Sequence, residues 1–324
     1  MQSKGRTMKK KIFVDGLSGT TGLKIHERLS LYPELEVIEA DYEKRRDPRE
    51  RARCLNEADL VFLCLPDDAA REAVSLVENP ETRIIDASTA HRTAPGWTYG
   101  LPDLSKAHRE AVVNSKRVSN PGCHATAFLL LVYPLVSSGI LAPDCPLTCQ
   151  SLTGYSGGGK VLIEKYEAEE GRNPYAKAPR PYALNLNHKH LPEMTIHAGL
   201  SQEPLFVPIL GNNYKGMGVM LPLPGQLLKK KRTAKELHEL LAGHYAGQSF
   251  ISVMPYMEDS CLFDGGVDIT ACNDTNRAEI FVFGNDAKGM AMLLTRIDNL
   301  GKGASGAAIQ NMNLMLGFEE GLHL

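Results

Sequence analysis

The stretch Ser119-Asn120-Pro121-Gly122-Cys123-His124 sets a thiol where it can act as a nucleophile. Apolar residues keep helical spacing from 127 to 135, so a short strand after Arg117 runs here into a helix. Ser119 or Asn120 can cap that helix, Pro121 suits its first position, and Pro134 should kink or end it. Cys123 then falls in the first turn, before unpaired N–H groups and the positive end of the helix dipole, which predicts a depressed thiol pKa. The other six cysteines, Cys54, Cys64, Cys145, Cys149, Cys261 and Cys272, read as packing residues. A thiolate that attacks an acyl carbon needs a partner to manage protons, and Asn187-His188-Lys189-His190-Leu-Pro-Glu193 offers one. One of the two histidines is expected to face the thiol, with His190 preferred over His188. Glu193 would hold a nearby loop or a substrate amine, while His124 would point elsewhere on its helix and be structural.

Two glycine clusters suit anions. Residues 16–22 read G-x-x-G-x-x-G (Gly16, Ser18, Gly19, Thr20, Thr21, Gly22) between the first strand and the first helix, where backbone can approach a pyrophosphate. The next strand ends in Asp41-Tyr-Glu-Lys44-Arg45-Arg46, near where a dinucleotide carries its adenosine ribose. Guanidinium groups of Arg45 and Arg46 would favour a 2′-phosphate, hence NADP, and Asp41 would favour NAD. The competing reading is a solvated charged turn that also takes in Arg49 and Arg51. The second cluster, Gly154-Tyr-Ser156-Gly157-Gly158-Gly159-Lys160, ends a strand and opens a helix, a place suited to a phosphate or carboxylate.

The elements that position these groups divide the chain in two. Up to residue 120, short apolar segments alternate with amphipathic ones. Strands are expected over 11–15, 34–41, 58–65 and 83–86 and helices over 20–31 and 68–77, the pattern of a doubly wound parallel sheet. Beyond residue 148, strand-like stretches (TCQSLTGYS, EPLFVPIL, GVMLPLP, AEIFVFG) with helices over 161–169 and 233–243 predict an α+β unit with a mixed sheet. A small-residue helix over 304–317 could return to the first unit. At 324 residues, 43% hydrophobic, with a net charge of −2, the chain can bury two cores and has no field for tight nucleic-acid or membrane-surface binding. The longest apolar run, residues 125–132, is short of the roughly 20 residues of a membrane span. Seven cysteines and no signal-like stretch suggest a cytoplasmic protein, with residues 1–8 a leader or alternative start.

Taken together, GLSGTTG at 16, IDASTAHR at 85, SNPGCHATA at 119, SLTGYSGGGK at 151, HKHLPE at 188 and GAAIQNMNLMLG at 306 resemble the short form of N-acetyl-gamma-glutamyl-phosphate reductase, a member of the semialdehyde dehydrogenase group. The resemblance implies a Rossmann-like dinucleotide-binding domain (1–122 with 300–324) and a catalytic domain (123–299) like that of glyceraldehyde-3-phosphate dehydrogenase. It implies NADPH-dependent reduction of N-acetyl-glutamyl 5-phosphate through a thioester on Cys123, in arginine biosynthesis; separately, the apolar content of the second unit points to a homo-oligomer, a dimer or tetramer. By the same resemblance Ser88 and Arg92 would lie near the substrate phosphate or the nicotinamide and Asn311 near the cofactor; from the residues themselves, Asn120 and Lys160 are further candidate substrate contacts, and Ser156, Gly157 and Gly158 candidate cofactor contacts. No metal is implied. The rivals are an aspartate-semialdehyde type reductase, a cysteine acyltransferase or hydrolase, and a silent dinucleotide sensor.

Overall fold

The computed structural model describes residues 9–17, 19–44, 47–168 and 174–324. Ser18, Arg45, Arg46 and the 1–8 segment, on which expectations were placed above, lie outside the described residues. Six strands, β1 (Lys10–Asp15), β2 (Leu35–Ile38), β3 (Leu60–Leu63), β4 (Arg83–Asp86), β5 (Thr98–Tyr99) and β6 (Arg117–Ser119), form one sheet of order β2-β1-β3-β4-β6-β5, parallel throughout. All four residues of β3 are buried, because helices cover both faces. These are α1 (Thr20–Leu29), α2 (Pro48–Glu57), α3 (Asp67–Ser75) and α4 (Lys106–Asn114). The chain leaves β1 in opposite directions to reach β2 and β3, which opens a crevice at the carboxyl ends of β1 and β3.

The charged run after β2 is not a solvated turn around Arg49 and Arg51. Asp47 accepts from the Arg49 N–H at 2.8 Å and Pro48 takes the first position of α2, so the Asp-Pro pair was a legible helix start. Arg51 is buried on that helix and its guanidinium reaches Asp15, the last residue of β1, at 3.0 Å.

Helix α5 (Cys123–Ser137) is the spine of the second half, and almost its whole length is buried. Its N-cap is Gly122, not Ser119 or Asn120: Ser119 ends β6, and the Asn120 amide donates instead to the Ala304 carbonyl at 2.9 Å. Nor does Pro134 end the helix. A proline cannot donate to the carbonyl four residues back, and here the Tyr245 hydroxyl donates to that Leu130 oxygen at 2.7 Å, so the buried acceptor stays satisfied and the helix runs to Ser137.

Against α5 lies a mixed sheet of seven strands: β7 (Thr148–Thr153), β8 (Arg180–Pro181), β9 (Leu205–Leu210), β10 (Met217–Pro224), β11 (Ile251–Val253), β12 (Ala278–Asn285) and β13 (Met290–Ile297), in the order β11-β12-β13-β10-β7-β9-β8. Three helices join them, α6 (Gly159–Glu167), α7 (Leu191–Ala198) and α8 (Ala234–His244), the last with a reciprocal Thr233–Glu236 capping box. Phe128, Leu131 and Leu135 of α5 share a core with Val219, Leu221 and Leu293 of the sheet. The final helix α9 (Gly306–Leu316) returns to the first sheet and buries Ala308, Ile309 and Met312 with Ile12, Ile25 and Phe62. It starts later than the pattern suggested, because residues 301–305 form a π turn. No helix among the described residues is long and apolar enough to cross a membrane.

Candidate active site

Between the two sheets lies a cleft of about 530 Å³. One wall is Thr20 and Thr21 at the start of α1, the floor is the 120–124 stretch, and the far wall carries His188, Lys189 and His190. Ser156, Gly157 and Gly158 also face it, as do Asn299, Gly303 and Ala304 around the π turn.

Cys123 is the first residue of α5 and is partly exposed to the cleft. Gly303 packs so closely against it that an added Cβ would stand 2.7 Å from the Cys123 Cβ. Burial pushes the thiol up to about 11, opposed by the Arg92 guanidinium and by the His124 N–H. The expected depression is therefore corrected. The helix start does favour the thiolate, but losing water around a charged sulfur outweighs it.

Both histidines line the cleft. Residues 188–190 form a turn, with the His190 N–H donating to His188 Nδ1 at 3.2 Å, and His190 caps α7. Burial, then the Arg92 charge, holds His190 neutral well below the ordinary imidazole range, and its Nδ1 has no hydrogen-bond partner. Its Nε2 stands 3.9 Å from Glu193 Oε1, which for a neutral ring is neither an ion pair nor a hydrogen bond. Burial lowers His188 to about 4. His124 also lines the cleft, contrary to the expectation that it points away, and bridges Ser151 Oγ at 2.8 Å and the Tyr182 hydroxyl at 2.9 Å. Burial lowers it to about 3.

Glu193 sits beneath the cleft at 1% exposure and does not line it, which rules out the expected contact with a substrate amine in this arrangement. It accepts from Arg92 Nη1 at 2.6 Å, from the Tyr99 hydroxyl at 2.7 Å and from the Gly122 N–H at 3.1 Å, so it does hold the loop before the nucleophile. Arg92 lines the cleft, yet its other nitrogens donate to the carbonyls of Asn120 at 3.0 Å and Ala87 at 3.2 Å.

The glycine turn after β1 fits a pyrophosphate. Gly16 has φ +101°, and an added Cβ would meet the Cys64 carbonyl oxygen at 2.3 Å; one on Gly22 would meet the Gly16 oxygen at 2.5 Å. Gly19 caps α1 without a side chain and with open space around it, so among the described residues the first-turn N–H groups beside Thr20 and Thr21 have no side-chain acceptor. An anion can take that place.

Three expected contacts lie elsewhere. Ser88 donates to Asp86 Oδ2 at 2.7 Å and is outside the cleft wall. Asn311 is fully buried, donating to the Gly100 carbonyl at 2.9 Å and to Asn120 Oδ1 at 3.3 Å, so it supports Asn120 through packing. Lys160 is exposed, 3.9 Å from Glu164 and outside the wall, because α6 turns it outward. The sequence reading missed Tyr182, which carries no motif, and Asn299, which donates to Ser156 Oγ at 3.0 Å and accepts from the Gly216 N–H at 2.9 Å. The glycine pair in Asn299-Leu-Gly-Lys-Gly303 was the available signal for the latter.

Residues 11–112 match the NAD binding domain of semialdehyde dehydrogenase and residues 123–299 its dimerisation domain. N-acetyl-gamma-glutamyl-phosphate reductase 2 of Nostoc sp. is 48% identical over 98% of this chain and 99% of its own length. The N-acetyl-gamma-glutamyl-phosphate reductase of Chelativorans sp. is 47% identical over 95% and 99%. Among solved structures, aspartate semialdehyde dehydrogenase II of Vibrio cholerae, complexed with ASA, has the same fold, with a TM-score of 0.70 at 13% identity over 96% of this chain and 99% of that one. Aspartate semialdehyde dehydrogenase of Candida albicans with NADP has a TM-score of 0.60 at 14% identity, over 95% and 98%.

Proposed function

Because the chain belongs to the N-acetyl-gamma-glutamyl-phosphate reductase family within the semialdehyde dehydrogenases, we propose that it reduces N-acetyl-glutamyl 5-phosphate to the 5-semialdehyde, releasing phosphate, in arginine biosynthesis. The observation that carries this reading is a single cleft that holds Cys123, both histidines and the open N-terminus of α1. A nicotinamide cofactor bound at that N-terminus supplies the hydride; Gly16, Gly19, Gly22, Thr20 and Thr21 would hold its pyrophosphate, with Ser156, Gly157 and Gly158 opposite. We assign it as NADP(H), with Arg45 and Arg46 taking the 2′-phosphate.

Cys123 rests as a thiol, so its proton leaves as sulfur attacks the acyl carbon. His190, neutral and with Gly122 against its ring, accepts that proton as the C–S bond forms and the C–O bond to phosphate breaks. After reduction of the thioester, the thiohemiacetal oxygen reforms the carbonyl, the C–S bond breaks and the proton returns to sulfur. His188 orients the turn through its bond to the His190 N–H. Glu193 and Arg92 are positioning residues that fix Gly122 and Asn120.

One further observation favours an acylated amine over aspartate semialdehyde. Among the described residues the cleft wall carries no aspartate or glutamate. A free α-ammonium would find no carboxylate there, while an acetylated nitrogen needs none. The sheet-bearing 123–299 region is assigned as the catalytic and self-associating domain, and 1–122 with 300–324 as the dinucleotide domain, in a cytoplasmic dimer or tetramer. The test is NADP+ reduction with N-acetyl-glutamate semialdehyde plus phosphate, beside aspartate semialdehyde. A kcat/KM for the latter equal or greater would sink the assignment.

A further inference from the structure

Resting on that function, we propose that Lys189 is the anchor for an oxyanion of the substrate, either its phosphoryl group or its α-carboxylate. The substrate brings two anionic groups into a cleft whose wall, among the described residues, has only two cationic side chains, Arg92 and Lys189. Arg92 is committed: its nitrogens serve Glu193, the Asn120 carbonyl and the Ala87 carbonyl, and Glu193 already balances its charge. Lys160, the lysine that the glycine cluster pointed to, stands outside the wall. Lys189 is exposed at the rim, makes no ion pair or hydrogen bond among the described residues, and is carried by the short turn between His188 and His190.

Position supports the role. The turn that presents Lys189 is held at one end by His190, 5% exposed and packed on Gly122, and at the other by His188, so the lysine is tethered within reach of the groups around Cys123. An anion bound by this ammonium replaces water with a charge-assisted hydrogen bond, without the loss of any existing protein contact. A flexible stem suits a group that must release phosphate in each turnover.

The reverse reaction separates the two anions, since phosphate and N-acetyl-glutamate semialdehyde are then different substrates. Wild type, Lys189→Met and Lys189→Arg are compared for NADP+ reduction with each substrate varied in turn. Loss of one charge-assisted hydrogen bond predicts a KM increase of about 10- to 100-fold in Lys189→Met. The maximal rate should change by less than about threefold, and Lys189→Arg should recover most of the loss. A rise confined to phosphate places the ammonium on the phosphoryl group; a rise confined to the semialdehyde places it on the carboxylate. Both KM values within about twofold of wild type, or a rise that arginine does not reverse, would overturn the anchor. A wild-type protein inactive with these substrates would remove the function itself, a different and separable result.

Discussion

Replacing Glu193 by glutamine removes the charge from a carboxylate that holds three donors at once and is almost wholly buried. Arg92, itself 9% exposed, would keep its carbonyl contacts but lose the carboxylate paired with it. Breaking a buried pair from one side costs about 3–5 kcal/mol. Taking about 3 kcal/mol and a urea dependence of about 2–3 kcal/mol per molar, the unfolding midpoint should fall by about 1–1.5 M. The glutamine also turns an N–H toward one of the three donors, and release of the Gly122 N–H frees the loop that carries Cys123. A displacement of about 1 Å costs on the order of 100-fold in rate. Urea unfolding followed by tryptophan fluorescence, with steady-state kinetics on the same samples, reads both effects. The double variant Arg92→Met with Glu193→Gln leaves no buried charge unpaired and should regain most of the stability but not the rate. A Glu193→Gln enzyme with a midpoint within about 0.3 M of wild type and an unchanged rate would refute the buttress.

Three further outcomes follow from the site. His124, His188 and His190 all have folded pKa values below the unfolded value of 6.5. The stability of their neutral forms is thus complete above about pH 6.5 and lost as pH falls through the folded values. Near pH 5 three protons bound on unfolding give a slope of about 4 kcal/mol per pH unit, which urea titrations from pH 4.5 to 7.5 would measure; a slope under about 1 would contradict the burial of these rings. Gly303→Ala sets a methyl against the Cys123 Cβ and should lower kcat by about 10- to 100-fold through displacement of the nucleophile. An unchanged kcat would mean the π turn does not position the thiol. Arg45→Ala with Arg46→Ala should raise the Kd for NADP+ by about 10- to 100-fold and leave NAD+ within about twofold, measured by fluorescence titration; equal losses for both would assign these arginines to something other than the 2′-phosphate.

What could be read from the chain alone were features that a few neighbouring residues determine. Gly16 and Gly22 mark a strand-to-helix turn because backbone would collide with any side chain there, and a turn of that kind announces itself locally. The alternation of β1, α1, β2, β3, α3 and β4 is likewise a matter of periodicity within each segment, as is the entry of Cys123 into the first turn of α5. Glycine runs told less about which residues face the cleft: Ser156 and Gly158 do, but Lys160, only two residues further on, does not.

Protonation and partnership were decided by the tertiary structure. Whether Cys123 rests as thiol or thiolate depends on how much water the surrounding walls remove, a quantity with no counterpart in the order of residues. Glu193 was legible as a group near the site, but its partners are Gly122, 71 positions away, and Arg92, 101 positions away. The continuation of α5 past Pro134 depended on a hydroxyl 115 residues from the carbonyl it satisfies. Short-range sterics and periodicity are written in sequence because they act between neighbours, whereas desolvation and long-range pairing exist only once the two sheets have closed around the cleft.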